Sequence, residues 1–245
     1  MEKIKSYVRK IPLLYCVLRK AYRFFLPEPE LGITEQIERA LREKTPVFFV
    51  QVGSNDGLQR DPIHRLIVTN KKWSGIFIEP VGFVFQRLKQ NYNNAGRFTF
   101  ENVAIGTKKG ITKFYYVSEE ARSALGDDLP SWYDQLGSFD RNHILKFLDG
   151  RLEPYIVEEE LECVTMEEIF ERNSVERVDL LHIDAEGFDF KILSQIDFKR
   201  YKPLIVLYEH AHLPVTEKEK AKSFLTTSGY SLREYDTDTL AIFKG

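Results

Sequence analysis

Residues 47–57 read VFFVQVGSNDG. Strand formers (Val47, Phe48, Phe49, Val50, Val52) run into Gly53-Ser54-Asn55-Asp56-Gly57. Twenty-two residues after Gly57, a second apolar run, Ile76-Phe77-Ile78, ends in Glu79-Pro80. A strand, a glycine turn and an acid at the tip of the next strand together make a nucleoside pocket. Glycine lets the backbone approach the ligand, and a carboxylate accepts hydrogen bonds from both ribose hydroxyls. The glycines are spaced GxxxG rather than GxGxxG, and no P-loop Lys-Ser/Thr follows, so no grip on a pyrophosphate is visible. That combination favours S-adenosylmethionine, which carries adenosine without phosphate. The bland alternative is an ordinary turn between strand and helix.

Working outward, strands are predicted at 46–52, 74–79, 98–104, 111–117, 155–163, 178–184, 203–209, 229–235 and 240–244. Helices are predicted at 34–43, 60–70, 81–92, 140–148, 165–173, 187–195 and 215–228. Strands alternating with crossover helices imply an α/β fold, a mostly parallel sheet with helices on both faces. The end differs, because Tyr230 to Tyr235, a turn at 236–238 and Leu240 to Phe243 read as an antiparallel hairpin. A parallel sheet closed by one reversed strand is the Rossmann-like pattern of class I methyltransferases. The irregular block at about 118–150 is long for a connection, which predicts a lid over the site.

The 245 residues bound the chain to one ordinary domain, 27–245, behind a basic head, 1–26. The head carries Lys3, Lys5, Arg9, Lys10, Arg19, Lys20 and Arg23 against Glu2 alone, while the whole chain has a net charge of −2. Its apolar residues recur at helical spacing from Ile4 to Phe25, interrupted at Pro12. A basic amphipathic helix can lie on an anionic membrane surface, or pack on the domain or a second subunit. The overall charge balance argues against nucleic-acid partners. Cys16 and Cys163 suggest neither a disulfide framework nor a thiolate metal site. With no signal peptide and no run of about 18 apolar residues, the expected location is cytoplasmic, with membrane association through the head as an option.

In an open parallel sheet, ligands sit over the carboxyl ends of the strands. The first strand offers Gln51, Gly53, Ser54, Asn55, Asp56 and Gly57 to the cofactor, and the second offers Glu79 and Pro80. The third offers Asn102, Val103 and Ala104, where an adenine ring could lie. The fourth, LLHIDAEG, places Asp184 and Glu186 where the methyl group and acceptor should meet. Asp184 is the leading base or orienter, with an N-cap as its structural alternative. His182 lies two residues earlier on the same strand face, as a catalytic group or a core histidine. The fifth strand ends Tyr208-Glu209-His210-Ala211-His212. There His210 is a candidate base, and Glu209 and His212 are candidate acceptor contacts. A divalent metal on Asp184, Glu209 and His210 is the lesser alternative. In the lid, Trp132, Tyr133, Gln135 and Ser138 combine aromatic faces with polar groups, as sugar binding requires, or else close a small core.

VGSNDG, FIEP, ENVAIG followed by KFYYV, and above all DLLHIDAEGFDFKIL resemble the FkbM-type methyltransferase family. The likeness runs in order over about residues 46–210 and excludes the head. It implies methyl transfer from S-adenosylmethionine, usually to a hydroxyl on a sugar or secondary metabolite. The expected acceptor is therefore a saccharide, free, nucleotide-linked or in a cell-surface glycan. A lipid or polyketide hydroxyl is the enzymatic alternative, and a non-catalytic scaffold that keeps the fold is the other. Many members carry an acid where this chain has Gln51. The contact from that acid to the cofactor's amino group would then pass to Asp56 or Asp184.

Overall fold

The structure, a computed structural model, describes residues 31–92 and 96–244. The basic head lies outside the described residues. At the centre is β1 (Val47–Val52), with β2 (Trp73–Ile78) and β3 (Phe98–Glu101) on one side. On the other side follow β7 (Leu180–Ile183), β8 (Ile205–Glu209), β10 (Asp238–Phe243) and β9 (Tyr230–Glu234). All pairings up to β8 are parallel, and β10 runs antiparallel to both β8 and β9. Counted within this sheet, the strand order is 3-2-1-4-5-7-6, the class I methyltransferase arrangement expected from the sequence.

The side chains alternate as a pleated strand requires. Val50, Val52, Ile76, Ile78, Leu181 and Ile183 face one apolar layer. That layer is covered by α6 (Met166–Arg172), α7 (Asp189–Leu193) and α8 (Val215–Thr227). Val47, Phe49, Phe77, Leu180 and Leu207 face the other, under α1 (Ile33–Leu41), α2 (His64–Thr69) and α3 (Gly82–Asn91). At the strand tips the second layer turns polar. Gln51 is in register with His182 and follows Phe49 on the same face, where a buried aliphatic would contribute about 1.5–3 kcal/mol. Both are buried, so the fold forgoes apolar stabilisation there.

Two features depart from expectation. The predicted strand 98–104 is two pieces, broken where the Asn102 side chain turns to donate to the Glu79 and Pro80 carbonyls. After the break, β4 (Ala104–Ile105) leaves the central sheet and pairs with β6 (Ile156–Val164), which pairs antiparallel with β5 (Gly110–Val117). The predicted strands 111–117 and 155–163 therefore form a separate three-stranded sheet. No crossover helix joins them, and exposed acids and lysines such as Glu158 and Lys113 suit a solvent-facing surface.

The block between β5 and β6 is ordered as a lid. It contains α4 (Glu120–Leu125), α5 (Arg141–Leu145) and short 3-10 turns. Its own apolar cluster includes Ala121, Leu129, Tyr133, Leu136, Ile144 and Leu152. Among the described residues no helix is long and apolar enough to cross a membrane.

Candidate functional site

The tips of β1, β2 and β7 meet around the glycine turn. Gly53 has φ +71, and a side-chain carbon there would lie 1.6 Å from the Asp184 carbonyl oxygen, so only glycine lets the two tips close. The N–H groups of Gly53 and Ser54 both donate to Ile78 O at 3.0 Å. Ser54 Oγ donates to Gln51 O and accepts from Ile78 N–H, which makes Ser54 a clasp between strands. Over these tips opens a cleft of about 880 Å³ free of protein atoms, its mouth included.

Most predicted cofactor residues line this cleft: Gln51, Gly53, Ser54, Asn55, Glu79, Pro80, Val103, Ala104 and Asp184. Glu79 is buried, with Oε2 accepting from Asn55 N–H and Oε1 from Val81 N–H, both at 2.9 Å. Each oxygen keeps a second lone pair. Burial raises the Glu79 carboxyl to about 7 against the pull of those two bonds.

Three cofactor expectations are corrected. The Asp56 carboxylate is outside the lining and accepts from Leu58 N–H, Gln59 N–H and Gln59 Nε2. A carboxylate closing its own turn cannot stand in for the acid missing at Gln51. Gly57 also lies outside, its carbonyl accepting from the Tyr92 hydroxyl at 2.8 Å. Asn102 supports the backbone of 79–80 from behind and is likewise absent from the lining.

The structure supplies a carboxylate the sequence reading missed. Asp61 lines the cleft beside Gln51. Asp61 Oδ1 accepts from Ile63 N–H at 2.9 Å. Among the described residues, buried Asp61 Oδ2 and Gln51 Oε1 have no hydrogen-bond partner. Burial raises the Asp61 carboxyl to about 7. Gln51 Nε2 donates to His182 Nδ1 at 3.0 Å, and desolvation lowers His182 to about 4, so its imidazole is neutral near pH 7. His182 is thus a cleft-floor residue held by Gln51. The signal for Asp61 was its place before Pro62, a pair that opens helices and turns.

Asp184 and Glu186 occupy the cleft wall at the end of β7. Asp184 is no N-cap: the Asp189 carboxylate instead accepts from Ala185 and Gly187 N–H in that turn. Burial raises the Asp184 carboxyl well above its usual range, helped by Glu209, Glu186 and Asp189 nearby. Glu186 sits at φ +49 and bonds His143 Nε2 at 2.7 Å, joining the lid to the sheet. Behind it, His212 Nδ1 lies 2.9 Å from Glu209 Oε2.

The remaining acceptor-side expectations are only partly met. His210 is outside the lining, its Nδ1 3.0 Å from Thr239 Oγ1 on β10, so the structure does not bring it together with Asp184 at the cleft. The metal set Asp184, Glu209 and His210 fails with it. Gln135 lines the cleft, while Trp132, Tyr133, Ser138, Glu209 and His212 do not. Tyr133 is in the lid core, Trp132 packs edge-on against Phe147, and Ser138 pairs with Tyr115 through the backbone. Phe139 and Asp134 take places in the wall that sequence reasoning did not assign.

S-adenosylmethionine fits this set of groups. Glu79 offers acceptors for hydroxyls, and the buried Asp61 carboxyl beside Gln51 offers an acceptor for an ammonium. Val103, Ala104 and Ile105 give an apolar wall for a base.

Among curated proteins no sequence match was found. Three solved structures are similar, all at low identity. One, from Staphylococcus aureus, is assigned as a caffeoyl-CoA O-methyltransferase (13% identity, TM-score 0.49, covering 94% of this chain and 91% of that one). Another, from Klebsiella pneumoniae, is assigned as an O-methyltransferase (11%, 0.45, 98% and 96%). The third is precorrin-6y C5,15-methyltransferase from Geobacter metallireducens GS-15 (13%, 0.41, 86% and 88%). None of these likenesses bears on the reaction. The family model described as the methyltransferase FkbM domain matches residues 51–238, from the glycine turn to the start of the last strand. The chain belongs to the FkbM methyltransferase family and is an S-adenosylmethionine-dependent methyltransferase.

Proposed function

We propose that this methyltransferase acts on a hydroxyl oxygen of a saccharide, free, nucleotide-linked or in a cell-surface glycan. The observation that carries the reading is the pair Asp184 and Glu186 in the cleft wall, with His143 of the lid on Glu186. A hydroxyl becomes a competent nucleophile only as its proton leaves, and a placed base contributes about 10²–10⁴-fold. When bound, S-adenosylmethionine supplies an electrophilic methyl group on its sulfonium. Glu79 holds the ribose hydroxyls. The Asp61 carboxylate receives the amino group, in the role that Gln51 cannot fill. With the cofactor bound, Asp184 in its ionised form would take the proton that the acceptor hydroxyl loses as the methyl group passes from sulfur to oxygen. Polar groups on Gln59, Arg60 and Gln135 at the cleft supply the hydrogen bonds a sugar needs.

Methyl transfer to a panel of sugar nucleotides and oligosaccharides, read by mass spectrometry, tests the acceptor. Transfer to an amine but to no hydroxyl would remove the oxygen-directed reading. Failure of the folded protein to bind S-adenosylhomocysteine in calorimetry would remove the cofactor assignment.

The two raised acids make cofactor binding pH-dependent. Asp61 and Glu79 both titrate at about 7 in the free protein, with Asp56 beside the first and Asp134 and Arg87 beside the second. Both serve the cofactor as carboxylates, so binding expels their protons. Affinity should be level above about pH 8 and fall as pH drops through 7, by up to about tenfold per pH unit per group. Asp61→Asn should remove one group's share of that slope. Glu79→Ala should weaken binding by about 1–3 kcal/mol through lost charge-assisted hydrogen bonds. A pH-independent affinity in the wild type would count against both assignments.

The basic head is proposed to dock the enzyme at an anionic membrane surface where its acceptor is made. Deleting residues 1–26 should leave cofactor affinity unchanged and abolish salt-sensitive sedimentation with anionic vesicles. Conversion of a dimer to a monomer instead would make the head an oligomerisation element.

A further inference from the structure

We propose that His143, Glu186 and His212 bind one divalent first-row transition-metal ion at the acceptor edge of the cleft, with Glu209 behind His212. The first three residues come from the lid, the turn after β7 and the segment after β8. Their donor atoms all lie within 4.8 Å of one another. His143 Nε2 is 2.7 Å and His212 Nδ1 3.2 Å from the same oxygen, Glu186 Oε2. His212 Nδ1 is also 2.9 Å from Glu209 Oε2. Tetrahedral ligands at 2.0–2.1 Å from a metal stand about 3.3 Å apart, so the His143–Glu186 contact would open by roughly half an ångström to admit an ion, while His212–Glu186 already has the spacing.

Hydrogen bonding alone serves the arrangement poorly. One His212 nitrogen faces two carboxylate oxygens and has a single proton to offer. One Glu186 oxygen takes both imidazoles. A cation among His143 Nε2, His212 Nδ1 and Glu186 Oε2 would satisfy the three at once.

Charge points the same way. Asp184, Asp189 and Asp238 lie near enough to Glu186 or Glu209 for their charges to be felt, which gathers five carboxylates. Among the described residues, the ion-pair partners of Glu186 and Glu209 are these two histidines, with neither lysine nor arginine. Crowded buried carboxyls favour protonation of His212, whose affinity for a proton they raise, or a divalent ion in its place. Two imidazoles with one carboxylate favour zinc, manganese, iron or cobalt over magnesium and calcium, which prefer all-oxygen sets.

Glu186 also lines the cofactor cleft, so the ion would lie where the acceptor oxygen enters. There it would bind that oxygen and ease loss of its proton. This catalytic role rests on the hydroxyl-methylation reading, whereas metal binding does not.

The test is titration of chelator-treated full-length protein with Co²⁺, followed by visible absorption, and with Zn²⁺ by calorimetry. One equivalent should bind, with the intense bands of a low-coordinate cobalt site, and Mg²⁺ should not displace it. Bound Zn²⁺ should raise the melting temperature and protect the lid from proteolysis. His212→Ala changes a partly exposed side chain, and should weaken metal binding at least about 100-fold while keeping the apo melting temperature and S-adenosylhomocysteine affinity. Glu186→Gln should do the same to the metal. No saturable binding, or equal affinity in both variants, would overturn the site. Because S-adenosylhomocysteine affinity is read on the same samples, loss of metal binding alone and failure of the methyltransferase reading remain distinguishable.

Discussion

A Gly53→Ala protein should lose about 4 kcal/mol or more of stability and bind S-adenosylhomocysteine weakly or not at all. Two effects add. The backbone at Gly53 is left-handed, at φ +71, which costs a residue with a side chain about 1–2 kcal/mol. The added carbon would also sit 1.6 Å from the Asp184 carbonyl, and backbone on the neighbouring strand cannot swing aside as a side chain can. Relief requires β1 and β7 to part at their tips, which opens the cleft floor under Gln51 and His182. Gly82, on the first turn of α3, is the control. A carbon there meets nothing within 4 Å, and Gly82→Ala should be stabilising by up to about 1 kcal/mol. Urea denaturation of the two variants decides the matter. Equal stabilities would mean that the tips of β1 and β7 are not in contact.

Arg87→Ala should cost about 3 kcal/mol and loosen the lid. Arg87 on α3 meets Asp134 of the lid at 2.6 Å, and the Asp134 side chain is only 2% exposed. Removing the guanidinium strands a buried carboxylate, a loss of about 3–5 kcal/mol. The low end applies because Arg87 keeps 35% of its side chain in water. Adding Asp134→Asn removes the stranded charge, so the double variant should regain more than half the loss. Additive losses in that cycle would show that the pair does not interact. Limited proteolysis should cut Arg87→Ala first between residues 118 and 155.

What the sequence disclosed follows from where its chemistry is forced. Gly53, Glu79 and Asp184 end apolar strands, and a polar residue closing such a run marks the sheet edge where ligands bind. Side-chain alternation also put His182 on the face of Asp184, and both line the cleft. Position at a strand tip misled at His210. The strand ends at Glu209, and the N–H groups of His210 and Ala211 both turn to Thr237 O, so the period of two no longer applies. His210 goes to Thr239, and His212 returns over Glu186. Asp61 was missed because it sits in a connection with no periodicity, brought beside Gln51 only by folding. Trp132 and Tyr133 carried the right groups for sugar stacking, but Tyr133 closes the lid's own core and Trp132 packs against Phe147. The second sheet could be read as strands but not assigned a partner, since pairing is non-local.

The side pairing of β4 with β6 has a consequence for how acceptor preference could change. Ala104 lies opposite Cys163 and Ile105 opposite Val164, so the chain leaves the central fold and re-enters it at adjacent points. Everything between, residues 104–164, behaves as a cassette with its own sheet and apolar centre. It holds one wall of the cleft, including Asp134, Gln135 and Phe139, while Asp61 and Glu79 stay with the parent fold. Grafting this span between relatives exchanges acceptor contacts through a single double junction. Side chains outside the cassette must travel with it, among them Arg87 on α3, which meets Asp134, and Glu186, which meets His143.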